Sequence, residues 1–365
     1  MATGGPKLGR SLEVPSVQEL AKQPLNEVPT RYLRIDLADH LTAAAGNGGP
    51  FPRLPIIDMA RLASDPMDPE ELQKLHQACK EWGFFYLINH GVSSTMVEEV
   101  KREIFGFFNL PIEEKNKFRQ QRGDMNGFGQ LFVVSEEQKL DWADMFYMVT
   151  LPTYLRKQHL FLKFPNHFRE IIEAYSVELR KLALKLLECM AKALKINEND
   201  MRVLFEEGMQ EMRMNYYPPC PQPDMVVGLS PHSDASGLTI LLQVNEIEGL
   251  QIKKDGNWIP IKALSNAFVV NIGDILEIVT NGIYRSIEHR AIVNSVNERM
   301  SIATFYSAKL DGEIGSAPSL ITPQTPARFK RIAVIDFFKG FFSRELRGKS
   351  YVDEMRIQKK ETQID

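Results

Sequence analysis

Past Glu211 the apolar residues of this chain stop recurring every three or four positions and begin to come in short runs. Runs at 212–217, 238–243, 249–253, 257–261, 267–272, 275–279, 289–294 and 299–306 alternate with turns, and Gly237, Gly249, Gly256, Gly273 and Gly282 punctuate them. Many short strands at this spacing argue a sandwich or a barrel. Helical patterns flank them. Phe168, Ile172, Tyr175, Leu179, Leu182 and Leu186 form a core-facing stripe on one long helix between Phe168 and Leu194. Residues 69–81 and 94–108 also read as helices, Pro55–Asp58 and Phe84–Ile88 as strands, and Asn89-His90-Gly91 as a turn. Beyond the β-rich part, Phe329, Ile332, Ile335, Phe338 and Phe342 return to a helix pattern over Ala327–Arg347. Ser16 with Glu19 makes a capping box for a short N-terminal helix, and Gly46–Pro52 signals a loop. The expected organisation is an N-terminal extension (1–52), a helix-and-strand region (53–205), a β core (206–310) and a C-terminal helical segment (311–365).

Composition removes several classes of function. The net charge is −3 and the basic residues are interspersed with acids, so nothing draws the chain to nucleic acid or an anionic membrane. Three cysteines without a Cys-x-x-Cys give neither a disulfide framework nor a thiolate zinc site. Met1–Arg10 lacks an apolar core, so it does not read as a secretory signal. A cytoplasmic protein acting on a small molecule is the expectation.

The chemistry gathers in the β-rich part. His232 and Asp234 lie two apart, and residues i and i+2 of an extended chain point to one side, so both can reach one ion. Of the remaining histidines, His40, His76, His90, His159 and His167 lie outside this part; His289 lies within it. Two histidines and one carboxylate leave metal positions open, the arrangement of non-haem Fe(II) oxygenases. Zinc is the rival, but no His-Glu-x-x-His base motif occurs. Residues 289–294 and 299–306 are expected to pair as a hairpin. Period two then puts Arg299, Ser301, Ala303, Phe305 and Ser307 on one face, where Arg299 beside Ser301 makes a fork for a carboxylate. Arg213, Asn215 and Tyr217 share one face of an earlier strand that Pro218 ends, and the Tyr217 phenol could reach that carboxylate.

These residues carry a family pattern. Arg213-Met-Asn-Tyr-Tyr-Pro-Pro-Cys-Pro-Gln-Pro223, His232-Ser-Asp234, Asn271-Ile-Gly-Asp274, Thr280-Asn-Gly282, Ser286-Ile-Glu-His-Arg290 and Arg299-Met-Ser301 resemble the plant 2-oxoglutarate/Fe(II)-dependent dioxygenases. So do Ala78-Cys-Lys-Glu-Trp-Gly-Phe-Phe85, Gly127-Phe-Gly-Gln130 and Asp141-Trp-Ala-Asp144. The likeness runs from about residue 13 to about 357 and is nearest the senescence-related branch that includes alkaloid O-demethylases. It implies a mixed α and β fold, a double-stranded β-helix (jelly roll) core wrapped by N- and C-terminal helices. It implies that His232, Asp234 and His289 bind Fe(II), with no further catalytic group beyond the metal centre. It implies that Arg299, Ser301 and Tyr217 hold 2-oxoglutarate with Asn215 close by, that O2 is consumed, and that ascorbate serves as reductant.

The reaction so implied is hydroxylation or oxidative O-demethylation of a small aromatic or alkaloid-like metabolite, with release of succinate and CO2, by a monomer. Candidates for the substrate wall are Phe128, Phe132, Phe146 and Phe305, with Arg213 and Ser307 as polar neighbours. Relatives resembling anthocyanidin synthase carry a glutamate where Ser307 stands, which argues against a flavonoid substrate. The competing readings are a jelly-roll binding protein without catalysis and a same-fold iron oxidase that does not use 2-oxoglutarate.

Overall fold

A computed structural model describes residues 8–37 and 52–358. In chain order its main strands are β1 (Ile56–Asp58), β2 (Phe84–Ile88), β3 (Gly127–Gly129), β4 (Asp144–Leu151), β5 (Gln210–Tyr217), β6 (Leu229–His232), β7 (Leu238–Gln243), β8 (Leu250–Lys254), β9 (Asn257–Pro260), β10 (Phe268–Ile272), β11 (His289–Ala291) and β12 (Arg299–Tyr306). They form a major sheet in the order β1-β2-β10-β7-β12-β5-β4-β3 and a minor sheet in the order β6-β11-β8-β9. Every pairing is antiparallel except β1 with β2. The jelly roll is therefore present, with strands from before residue 205 extending its major sheet at both edges.

Alternation along β12 shows how the layers are built. Met300, Ile302 and Tyr306 join the main apolar cluster on the helical side, together with Leu179, Leu182 and Leu186 of the helix Asn166–Leu194. Arg299, Ser301, Ala303 and Phe305 take the opposite face, toward the minor sheet. That long helix ends at Lys195, whose φ of 56° closes it in the left-handed region. The helix Ser94–Phe108 and the strands β1 and β2 fall where the pattern put them. No helix among the described residues is long and apolar enough to cross a membrane.

Four expectations change. The run 275–279 is a helix, Asp274–Val279, buried at every position; five residues with one glutamate among them are too short to separate a buried helix from a strand by period. Residues 289–294 and 299–306 are not hairpin partners. β11 pairs with β6 and β8 in the minor sheet, whereas β12 lies between β5 and β7 in the major one. The Asn294 side chain accepts from the amides of Val296 and Asn297 at the crossing. The C-terminal helix spans Val334–Phe342 alone, with Phe329 in a bridge to Arg356 and Ile332–Ala333 in a short strand. The helix from Pro69 is α-helical to Gln77 and closes with a π turn, Ala78–Trp82. The short helix Val17–Ala21 does carry Ser16 as its cap, accepting from the Glu19 amide. Most of the expected loop 46–52 lies outside the described residues.

Candidate metal centre and substrate cavity

β6 delivers His232 as its last residue, and Asp234 follows in the turn. β11 delivers His289 as its first residue, and the two histidines face each other in the β6–β11 register. Nε2 of His232 lies 3.5 Å, and Nε2 of His289 3.7 Å, from Oδ1 of Asp234. One ligand atom from each of the three residues lies within 4.8 Å of the others, all of them buried. The imidazoles are oriented from behind: Nδ1 of His232 donates to the Ser230 carbonyl at 2.8 Å and Nδ1 of His289 to the Ile287 carbonyl at 3.1 Å. A carbonyl can only accept, so each Nε2 keeps its lone pair for a metal.

Asp234 is held the same way. Its Oδ2 accepts from Thr239 Oγ1 at 2.6 Å and from Asn271 Nδ2 at 2.7 Å, which leaves Oδ1 for the metal side. Burial works against its charge, yet the two imidazoles and Thr239 outweigh it and hold the carboxyl below the usual carboxylate range. Burial, then the neighbouring His232, pull the His289 imidazole down to about 4, so it is neutral at physiological pH, the form that binds metal.

The C-terminal segment braces this group. The Gly348 amide donates to the Pro231 carbonyl at 2.9 Å, and the Ser233 amide to the Gly348 carbonyl at 3.3 Å. Next along, Lys349 pairs with the buried Glu277 at 2.6 Å, as does Arg356.

Beside the triad runs a polar ladder. In the β5–β12 register Tyr217 faces Arg299, Asn215 faces Ser301, Arg213 faces Ala303 and Glu211 faces Phe305. Arg299 is 3 % exposed, its guanidinium carbon 5.2 Å from the centre of the Tyr217 ring. Among the described residues it meets no carboxylate, and its Nε has no hydrogen-bond partner. Asn215 donates weakly to Ser301 Oγ at 3.4 Å, and its Oδ1 is also without a partner. Gly249 makes room: a Cβ there would stand 2.6 Å from Cδ of Arg299. A buried guanidinium is costly without an anion, and a carboxylate-bearing cosubstrate supplies one. The donor set therefore fits both an Fe(II) ion and 2-oxoglutarate.

A cavity opens on His232 and Asp234. Phe132, Phe305, Phe338, Phe341 and Phe342 give it an aromatic wall, and Tyr147, Glu211 and Arg213 give it polar groups. A wider cleft of about 620 Å³ meets it at Leu131 and Phe132. Among the wall candidates, Phe132 and Phe305 line the cavity. Phe128 and Phe146 instead pack into an aromatic cluster with Phe107, Phe118 and Phe164. Ser307 lies past the end of β12, fully buried and off the cavity. Glu211, Tyr147 and Phe341 were not foreseen. The signal for Glu211 was available: the strand extends back past 212, and period two places 211 on the face of 213, 215 and 217.

Comparison with known proteins agrees over most of the chain. Residues 189–308 match the 2OG-Fe(II) oxygenase superfamily profile, and residues 54–170 match the profile of the non-haem dioxygenase in morphine synthesis N-terminal region. Oxoglutarate-dependent flavonoid 7-O-demethylase 1 of Ocimum basilicum is 57% identical, covering 96% of this chain and 93% of its own. Codeine O-demethylase of Papaver somniferum is 54% identical, covering 96% and 98%. The crystal structure of JOX2 in complex with 2OG, Fe and JA superposes with a TM-score of 0.84 at 32% identity, covering 95% of this chain and 99% of that one.

Proposed function

Because the chain belongs to the 2OG-Fe(II) oxygenase superfamily, we propose that it removes an O-methyl group from a methoxylated aromatic specialised metabolite, with His232, Asp234 and His289 holding Fe(II). Iron, 2-oxoglutarate and O2 together supply the oxidising power when bound, 2-oxoglutarate leaving as succinate and CO2 and ascorbate keeping the iron ferrous. One oxygen atom enters the methyl C–H bond; the hemiacetal so formed releases formaldehyde and the free hydroxyl compound. Arg299, Ser301 and Tyr217 bind the distal carboxylate of 2-oxoglutarate, and Asn215 lies alongside. The observation that carries the reading is a three-ligand group of which His232 and Asp234 line an aromatic-walled cavity. Flat ring systems suit such walls.

Two relatives bearing O-demethylase names, one acting on a flavonoid and one on codeine, support demethylation over plain hydroxylation. They also remove the force of the Ser307 argument against flavonoids, since that side chain does not reach the cavity. The complete set of ligands and clamp residues disfavours a binding protein without catalysis. Three buried free thiols suit a reducing compartment, and we expect a cytosolic monomer. The test is incubation of purified protein with Fe(II), ascorbate, 2-oxoglutarate and a panel of methoxylated flavones and alkaloids. Products lighter by roughly 14 mass units (loss of CH2), with stoichiometric formaldehyde and succinate, are expected. Products heavier by one oxygen would make it a hydroxylase; product formation independent of 2-oxoglutarate would remove it from the reaction class.

A further inference from the structure

Most buried carboxylates among the described residues take at least two hydrogen bonds. Asp144 takes the Ser16 hydroxyl and the amides of Val17 and Gln18. Asp234 takes Thr239 and Asn271. Glu277 takes Lys349, Arg356 and the Ser286 amide. Glu211 differs. It is 2 % exposed, and among the described residues the only hydrogen bond its carboxyl takes is the one that the Tyr147 hydroxyl donates to Oε1. Among the described residues no cation pairs with it. Arg213 sits two residues along the same face of β5, yet no ion pair joins the two. Asp274 also keeps an oxygen without a partner, but it does not line the cavity. Glu211 does, opposite Phe305 and among the aromatic walls.

An under-engaged carboxyl in an apolar site is costly unless something arrives to complete it. The walls can grip a flat ring but cannot tell one substituent from another. The Arg213 guanidinium can only donate, and the Tyr147 hydroxyl gives its proton to Glu211, so beyond the metal ligands this carboxyl is the cavity's strongest acceptor for a donor on a substrate. Resting on the reaction proposed above, we propose that Glu211, held by Tyr147, is a specificity-determining residue that accepts a hydrogen bond from a donor on the bound substrate, either a phenolic hydroxyl or a protonated amine. Burial pushes this carboxyl up to about 7, and an arriving cation is the partner that best stabilises its charged form.

The test uses matched probes on the full-length enzyme. One pair is a methoxyflavone bearing a free phenol and its fully methylated analogue. The other is a methoxylated tertiary-amine alkaloid and its neutral N-acyl analogue. KM and kcat are measured, and equilibrium binding is followed anaerobically with Mn(II) in place of Fe(II). Wild type should bind the donor-bearing member of at least one pair about tenfold more tightly, the scale of one buried hydrogen bond to a charged group. Glu211→Leu should erase that preference. Glu211→Gln keeps an acceptor but no charge. It should therefore spare a phenol within a few fold and cost an amine about tenfold or more, so the arm that responds identifies the donor. Tyr147→Phe should weaken the preference in the same sense. The absorption band of 2-oxoglutarate bound to Fe(II) should be unchanged in all three, separating lost recognition from a collapsed site. Wild-type preference retained by Glu211→Leu, or no preference in a wild type that turns the probes over, overturns this inference and leaves the reaction standing. A wild type that neither binds nor demethylates any probe overturns both.

Discussion

Asp234 presents one carboxylate oxygen to the metal side because Thr239 and Asn271 hold the other. Asp234→Ala should therefore abolish turnover and cut Fe(II) affinity to near background in metal titrations, while the circular dichroism of the apoprotein stays native. Arg299→Lys keeps the charge but loses the planar fork; the KM for 2-oxoglutarate should rise about tenfold and Fe(II) affinity should hold, since a charge-assisted pair contributes about 1.5–3 kcal/mol. An unchanged 2-oxoglutarate dependence in Arg299→Ala would put the clamp elsewhere. Glu211 offers a test by pH. Its folded value, about 7, lies above the unfolded 4.5. Below about 4.5 both states hold the proton. Between there and about 7 the unfolded chain ionises first, so stability falls by up to about 3 kcal/mol as pH rises. Tyr147 and Arg213, which face it, do not titrate in that window. Melting curves across that range should slope less in Glu211→Gln than in wild type; Asp274, raised likewise, keeps part of the slope in both. At this scale the metal group was legible because a spacing of two keeps His232 and Asp234 close even though Asp234 lies just past the end of β6. Glu211 was legible only in part: period two gives it the face of 213, 215 and 217, but a lone glutamate at a strand's start looks solvated until a neighbouring sheet covers it.

Elements were legible where a period existed. The 29-residue helix Asn166–Leu194 and the strands β5, β7 and β12 stand within two residues of their sequence patterns. The helix Asp274–Val279 is buried on all sides, and its two acids, Asp274 and Glu277, make one i, i+3 pair, too little to reveal a turn in so short a run. Pairing was hidden too: strand content says nothing about which sheet a strand joins, and a crossing of a few residues between β11 and β12 reads like a hairpin turn. The C-terminal strap carries its own prediction. Glu277 is the point where Lys349 and Arg356 fasten, next to the bond between Gly348 and the His232 strand. Glu277→Gln should cost on the order of 3 kcal/mol, the low end for breaking a buried pair because both cations are partly exposed. Limited proteolysis should then cut sooner between residues 343 and 350. A cleavage pattern like that of wild type would mean that the strap is held by its apolar contacts alone.

Across the whole molecule, distant parts of the chain share single polar groups. Asp144 of β4 accepts three hydrogen bonds from residues 16–18, and so pins the N-terminal helix onto the major sheet. Asp144→Ala should lower the melting temperature by several degrees, since losing bonds to a buried carboxylate costs about 1.5–3 kcal/mol each at most; an unshifted melt would show the N-terminal segment to be stability-neutral. Such long-range ties were beyond the sequence, because Asp144 and Ser16 carry no mark of each other. The β5–β12 ladder has a wider consequence. From the row of Arg299 to the row of Phe305 is six residues of strand, roughly 20 Å at about 3.4 Å each. On the function and the recognition proposed above, the cosubstrate is read at one end of that length and the metabolite at the other. Changes so far apart add rather than interfere, so the double variant Arg299→Lys with Glu211→Gln should show the product of the two single effects. With those assignments, a lineage built on this ladder would exchange one metabolite for another at its far rows and inherit its oxidant unaltered.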